Sequence, residues 1–361
     1  MSLQTFWFCL IAFLWAGYFL LEGFDFGVGA LLLFLAHDEE DRQIMFDAIG
    51  SAWDGNEVWL VVAGAATFAA FPAWYATMFS GFYLALVLVL VCLIVRVVSF
   101  EWRTKSENPR WRATWRWANT VGSIGAALVW GVALANLVHG VPLDSAHNFT
   151  GTFWDLFRPY TVFAGVVVVL LFAFHGATFL TLRTVGEFCE RSARAARKLA
   201  APAALAGVAL LAWTVVVAVE NNDKSVFPPV LPAALGGVAL VLAVVFLHLR
   251  RSGAAFAMTA AATVAVVATI FTGLYPRVLV SSTDFAHSLT VSNAASSHYA
   301  LVTMTVTALI FMPVVLLYQA WTYYVFRARV GGEQAARNPV QALAAKTTHP
   351  QPPPGPQPPG A

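Results

Sequence analysis

The sequence predicts an all-α, polytopic membrane protein of about nine transmembrane helices. Three observations carry that expectation: an apolar composition that a water-soluble fold of this size could not bury, a series of apolar runs of membrane-spanning length, and basic residues gathered into alternate loops. Hydrophobic residues make up 59% of the 361 and charged residues 11%, with a mean hydropathy of +0.70. Soluble domains carry roughly 25% charged residues, so the bilayer must act as the solvent for most of this surface.

Crossing the hydrocarbon core takes about 20 apolar residues in a helix. Runs of that kind lie at 5–35, 56–75, 77–99, 118–140, 160–181, 201–220, 229–250, 254–274 and 300–326. Backbone polar groups in lipid must be satisfied within the segment, which makes these helices; a transmembrane barrel would instead show short alternating segments. The first run, Thr5 to Leu35, has no basic leader, is too long for a signal peptide and contains two carboxylates, so it reads as a retained span. Phe79-Ser-Gly81 with Arg96 and Phe163-Ala-Gly165 with Arg183 echo each other, consistent with two four-helix bundles plus one peripheral helix. The spans form a membrane domain over 1–330. The 331–361 tail, rich in Pro, Gln and Gly from Pro350 onward, reads as a disordered cytoplasmic segment.

Orientation follows from lysine and arginine. Arg42, the loops at 103–116, 183–198 and 250–251, and the tail hold 17 of the 21 basic residues, leaving Arg158, Lys224 and Arg277 for the other side and Arg96 within a span. That alternation requires an odd number of spans and places the N-terminus outside and the C-terminus in the cytoplasm. The same reading explains the basic loops without a nucleic-acid partner. The three cysteines, Cys9, Cys92 and Cys189, form no C-x-x-C pair, which argues against a zinc, iron–sulfur or disulfide framework.

Ionisable groups at membrane depth cost about 2.5–3.5 kcal/mol each on insertion scales and call for a reason. Glu22 and Asp25 lie three residues apart, on one face of the first span, with Gly23 and Gly27 forming a small-xxx-small pair beside them. Trp53-Asp54-Gly55-Asn56-Glu57-Val58-Trp59 opens the second span at the cytoplasmic side, and Arg96 stands near the inner end of the third. Four carboxylates and an arginine thus converge on the inner half of one helical group. Acids held at membrane depth suit a proton relay. The alternatives are structural: Asp54 or Asn56 as a helix cap, and Arg96 snorkelling to the headgroups. Of eight histidines, His175 alone is clearly within a span. A heme axial ligand is one reading of it, but a single mid-span histidine fits a hydrogen-bonded packing residue beside Gly176 better.

The motifs Glu22-Gly-Phe-Asp25-Phe-Gly-Val-Gly29, Trp53-Asp54-Gly-Asn56-Glu57-Val-Trp59 and Phe79-Ser-Gly-Phe-Tyr83 resemble subunit II of the cytochrome bd-type quinol oxidases. So do Arg110-Trp-Arg112 with Trp115, Gly140-Val-Pro142, Gly176-Ala-Thr178, Arg183-Thr-Val-Gly-Glu187, Ser281-Ser-Thr283 and Leu316-Leu-Tyr318, in order over residues 5 to 327. The resemblance implies a bacterial plasma-membrane respiratory complex that oxidises quinol and reduces dioxygen to water. In it, heme b and heme d belong to the partner, subunit I. Subunit II carries no heme, stabilises that partner and supplies part of a cytoplasmic proton path; a structural quinone and small accessory subunits accompany some members. By motif, Asp54 becomes the proton entry and Asp25 the inner relay. Glu22 replaces the aspartate of many members, and Glu57 stands where some have glutamine. Trp53, Asn56 and Arg96 are supporting residues. Two other readings compete with this one: an ion-coupled secondary transporter, for which inverted repeats and broken helices would be expected, and a purely structural membrane partner.

Overall fold

The computed structural model describes residues 2–222 and 228–331; the proline-rich tail and Lys224 lie outside them. The helices are α1 (Leu3–Leu35), α2 (Glu39–Gly50), α3 (Trp53–Ala70), α4 (Pro72–Gly81), α5 (Tyr83–Trp102), α6 (Pro109–His139), α7 (Pro159–Arg183), α8 (Gly186–Asn222), α9 (Val230–His248), α10 (Ser252–Leu274) and α11 (His298–Val325). The chain is an all-α, multi-pass membrane protein.

Eight of these helices, α1 and α5 through α11, are long and apolar enough to cross a membrane. α3 is not among them, so the expected count of nine is eight by length and apolarity among the described residues. Its polar first turns lower its hydropathy, yet its 18 residues extend about 27 Å at 1.5 Å each. Its start touches the end of α5 through Trp53 and Phe100, 5.4 Å between ring centroids. The carbonyl of its last residue, Ala70, accepts from Ser296 N–H (2.9 Å) in the opposite set of loops.

α1 is the central element. Its most apolar stretch is 78% buried, and it packs on α3, α6, α7 and α10. Close approach to α7 depends on two facing glycines. A Cβ on Gly27 would stand 1.8 Å from the Phe172 carbonyl oxygen, and one on Gly176 would stand 2.5 Å from the Gly27 carbonyl carbon. α7, α8, α9 and α10 pack around one another in sequence, with α10 returning to α7. α1, α3, α5 and α6 form the second group, less evenly closed: beyond Trp53 and Phe100, an apolar cleft of about 530 Å³ runs between α3, α4 and α5. α11 is peripheral, with only 6% of its apolar stretch buried. Polar tethers hold it instead, beginning with Trp7 Nε1–H donating to Leu301 O (3.3 Å) and Thr305 Oγ1 (3.0 Å).

Several element boundaries differ from the hydropathy reading. The expected spans 56–75 and 77–99 are α3, the short α4 and the membrane-length α5, which starts at Tyr83. Phe71 is non-helical and Pro72 begins α4, where its missing N–H and fixed φ are tolerated. The expected span 201–220 is the far part of a 37-residue helix that begins within the basic loop. The first basic loop contains α2, whose N-cap Asp38 accepts from Asp41 N–H and whose Met45, Ala48 and Ile49 are buried. The loops at 141–159 and 275–299 interlock: Val141 N–H donates to Val280 O, Ser282 N–H to Val141 O, and Thr283 Oγ1 to Leu143 O (2.6 Å). α4 joins them through Thr77 Oγ1 to His147 O (2.9 Å).

Three of the basic loops and the end of α11 share one end of the bundle. Arg103, after α5, donates to Glu39 Oε1 (2.6 Å) and Gln43 Oε1 (2.6 Å) in α2. Arg191 of α8 donates to the Leu35 carbonyl (3.1 Å) and pairs with Asp41. Arg183 donates to Phe326 O (2.5 Å) and Ala328 O (2.6 Å). Burial works against the charge on Asp41, but the His37 N–H and Arg191 outweigh it and hold this carboxyl below its ordinary range.

Gly27→Val should push α1 off α7 at a backbone contact that has no slack, lowering stability by about 2–3 kcal/mol; thermal unfolding of the purified protein reads this. The Asp41 anchor should stabilise fully above the unfolded carboxylate value, about pH 4, and fade as pH falls through the lower folded value. Asp41→Asn should therefore be less stable than the wild type at pH 7 in denaturant titrations, with the gap narrowing as the pH is lowered below about 4.

Candidate functional site

The structure brings Glu22, Asp25, Asn56, Glu57 and Arg96 together where α1, α3 and α5 meet. α1 supplies Glu22 and Asp25 from one face, α3 presents Asn56 and Glu57 in its first turns, and α5 reaches in with Arg96. Glu22, Asp25, Asn56 and Arg96 are wholly buried. Glu57 retains 24% side-chain exposure, and Asp54, one turn earlier, is exposed.

Arg96 is the hub of the ionic contacts. Its Nη1 pairs with Glu22 and with Glu57 Oε1 at 3.1 Å. The guanidinium lies over Phe26 (5.0 Å) and Phe100 (5.5 Å), positions at which a cation is attracted by the ring faces. Its carbonyl accepts from Ser99 Oγ–H (2.5 Å) and from Asn119 Nδ2–H (3.3 Å) of α6. The snorkelling alternative therefore fails: the side chain turns into the bundle, away from the headgroups.

Asp25 sits in a different environment. Its Oδ2 accepts from the neutral amide of Asn56 at 2.7 Å, and its Oδ1 has no hydrogen-bond partner. Asn56 Oδ1 in turn accepts from Tyr323 O–H (2.7 Å) and Gln319 Nε2–H (3.4 Å) on α11. Asn56 is thus no helix cap, and neither is Asp54: the N-cap position of α3 is Ala52, with no side-chain cap hydrogen bond. Trp53 supports the start of α3 against Phe100. His175 lies elsewhere, with Nδ1 2.7 Å from Thr259 Oγ1 and Nε2 3.2 Å from Leu20 O, so both ring nitrogens are engaged by the protein.

Sequence reasoning missed Tyr323 and Gln319. Their signal was present: two polar side chains four residues apart, on one face of a largely apolar helix. It also missed the Phe26 and Phe100 faces around Arg96. Further orphaned polar atoms continue the cluster toward α6 and the basic end: Glu22 Oε2, Arg96 Nε and Nη2, Asn119 Oδ1 and Ser123 Oγ.

The chain matches the family model for cytochrome bd terminal oxidase subunit II over residues 3–326. It belongs to that family. A Bacillus subtilis relative, "Cytochrome bd ubiquinol oxidase subunit 2", is 41% identical over 336 residues, covering 92% of this chain and 98% of the relative. An Escherichia coli relative, "Cytochrome bd-I ubiquinol oxidase subunit 2", is 36% identical over 369 residues, covering 93% and 97%. Among solved structures, a chain of the bd oxidase from Geobacillus thermodenitrificans superposes with a TM-score of 0.69 at 17% identity, over 90% of this chain and 99% of that one. That likeness shows a shared fold. The subunit II match spans the whole helical domain, from the first turn of α1 to the end of α11, so the acidic cluster lies within the family's common frame.

Truncating Arg96 tests how the cluster is held. Arg96→Leu leaves Glu22 buried without its cation and should cost about 3–5 kcal/mol. Adding Glu22→Met should recover most of that loss, since removing both members of a buried pair is often near neutral. Thermal unfolding of the single and double variants measures both.

Proposed function

We propose that this chain is the heme-free subunit of a bacterial quinol:oxygen oxidoreductase and that its α1–α3–α5 cluster carries protons from the cytoplasm toward a heme-bearing subunit I. The observation that supports this best is Asp25: a carboxylate with no exposed surface, held by a neutral amide in place of a cation. Such a group can take or lose a proton without breaking an ion pair. Glu22 cannot do so as freely, because it balances Arg96.

The path begins at exposed Asp54, passes half-open Glu57 and reaches Asp25 through the Asn56 contact region. In this reading the basic end of the bundle faces the cytoplasm, following the lysine and arginine asymmetry, with the N-terminus outside and the C-terminus inside. The buried polar atoms that lack protein partners, Asp25 Oδ1 and Glu22 Oε2 among them, need hydrogen bonds that water supplies.

Quinol oxidation and dioxygen reduction are assigned to the partner. The buried histidine here has both nitrogens engaged, so heme b and heme d find no axial ligand in it. Subunit I is placed against α3, α5 and α11. The buried residues of α3 form a single stripe, Asn56, Trp59, Ala63, Thr67 and Ala70, and only 22% of the apolar stretch of α5 is buried. These helices leave most of their apolar surface uncovered beside the acidic cluster. A structural quinone fits the α3–α5 cleft, whose lining is apolar and includes Trp15 and Trp130.

Asp25→Asn and Asp54→Asn should each slow quinol-driven oxygen uptake by about 100-fold or more, the lower end of the range for losing a positioned proton-transfer group. Heme content and co-purification with subunit I should be unchanged. Full turnover in both variants across pH 6–8 would remove the proton role while leaving the family assignment standing.

A further inference from the structure

A second groove opens at the basic end, away from the acidic cluster. Leu31 and Phe34 of α1, Ile124 of α6, and Val169 and Ala173 of α7 form its apolar walls, and the first turns of α8 close it; its volume is about 600 Å³. Arg191, Arg194 and Lys198 line its α8 side, at spacings of three and four residues that keep them on one helical face. His37 stands at the same rim.

The three cations are not equivalent. Arg191 is matched by Asp41 and Glu187. Arg194 and Lys198 are exposed and make no ion pair among the described residues. Two unmatched cations therefore stand over an apolar trough that opens sideways between spans. The groove of about 500 Å³ between α1, α7, α10 and α11 provides a contrast. It has three arginines at its rim, of which Arg183 and Arg327 already donate to the chain's own carbonyls, so that Arg329 alone stands there without an ion pair or such a bond among the described residues.

We infer that the α1–α6–α7–α8 groove is a binding site for an anionic phospholipid, with its phosphate held by Arg194 and Lys198 and an acyl chain lying along Leu31, Ile124 and Val169. The charge complementarity selects an anionic headgroup, and the apolar walls select a molecule with a hydrocarbon chain. Basic pockets between spans on the cytoplasmic side bind such lipids in other membrane proteins. This site does not depend on the proton path.

The test is native mass spectrometry of the intact two-subunit complex, released from nanodiscs of phosphatidylglycerol or of phosphatidylcholine. The wild type should retain phosphatidylglycerol and not phosphatidylcholine. Arg194→Ala with Lys198→Ala should weaken that retention by about 30-fold. Ala195→Phe, which keeps both charges and fills the groove, should likewise weaken it. Unchanged thermal unfolding and heme content in both variants would establish that they are folded. Equal retention of the two lipids, or phosphatidylglycerol retained in the double variant, would overturn the site. Loss of the lipid adduct in the presence of millimolar inorganic phosphate, with Ala195→Phe behaving as wild type, would show a simple anion site and overturn the lipid assignment as well.

Discussion

An arginine with no exposed surface, placed among carboxylates inside an apolar bundle, constrains everything around it. Transfer of either Glu22 or Arg96 alone from water would carry a penalty of several kcal/mol, which only close pairing and additional contacts can offset. The structure supplies these: Glu57 as a second anion, aromatic faces from Phe26 and Phe100, and hydrogen bonds to the Arg96 carbonyl that fix this turn of α5. α5 therefore has one rotation and one height relative to α1. Glu57 must lie within reach, which fixes the start of α3. Because Arg96 answers Glu22 and Glu57, Asp25 is left as the carboxylate without a contacting cation, and the asymmetry between two acids one turn apart follows from that single placement.

Much of this architecture was legible in the sequence because lipid leaves the backbone little choice. Spans such as 160–181 and 254–274 lie within α7 and α10, and 118–140 overruns α6 by one residue, since apolar runs of that length can satisfy their own hydrogen bonds only as helices. The basic loops, read from charge alone, gather as expected: Arg103, Arg183 and Arg191 are held at one end of the bundle. Gly27 was legible as a point of close helix approach, and its neighbour is the equally bare Gly176.

What remained hidden depended on partners distant in sequence. α2 has no span-like composition and becomes a helix through its Asp38 cap and the burial of Met45 and Ile49. The interlocked outer loops are built from backbone pairings such as Val141 with Val280, which polar, uncharged composition does not announce. Arg96 could face the headgroups or the bundle at the same position in the span; only the rotation of α5 decides. For Asn56, a first-turn location suggested capping, and the structure turns its amide inward because Asp25 and Tyr323 offer better partners than α3's own N–H groups.

The peripheral helix and the central carboxylate are coupled through that amide. α11 buries almost none of its apolar surface, so its position rests on hydrogen bonds at Trp7, at Asn56 and at Arg183. At Asn56 the bond from Tyr323 O–H occupies the amide oxygen. An amide whose oxygen accepts from one side must present its N–H₂ to the other, and the other side is Asp25. Asp25 meets the donor side of this amide, and a turned amide would present its oxygen to the carboxylate instead. The docking of α11 therefore sets which face of the Asn56 amide Asp25 meets, although α11 contributes no charge to the cluster. Any change in the seating of α11 would be felt first at this amide, and through it at the buried carboxylate.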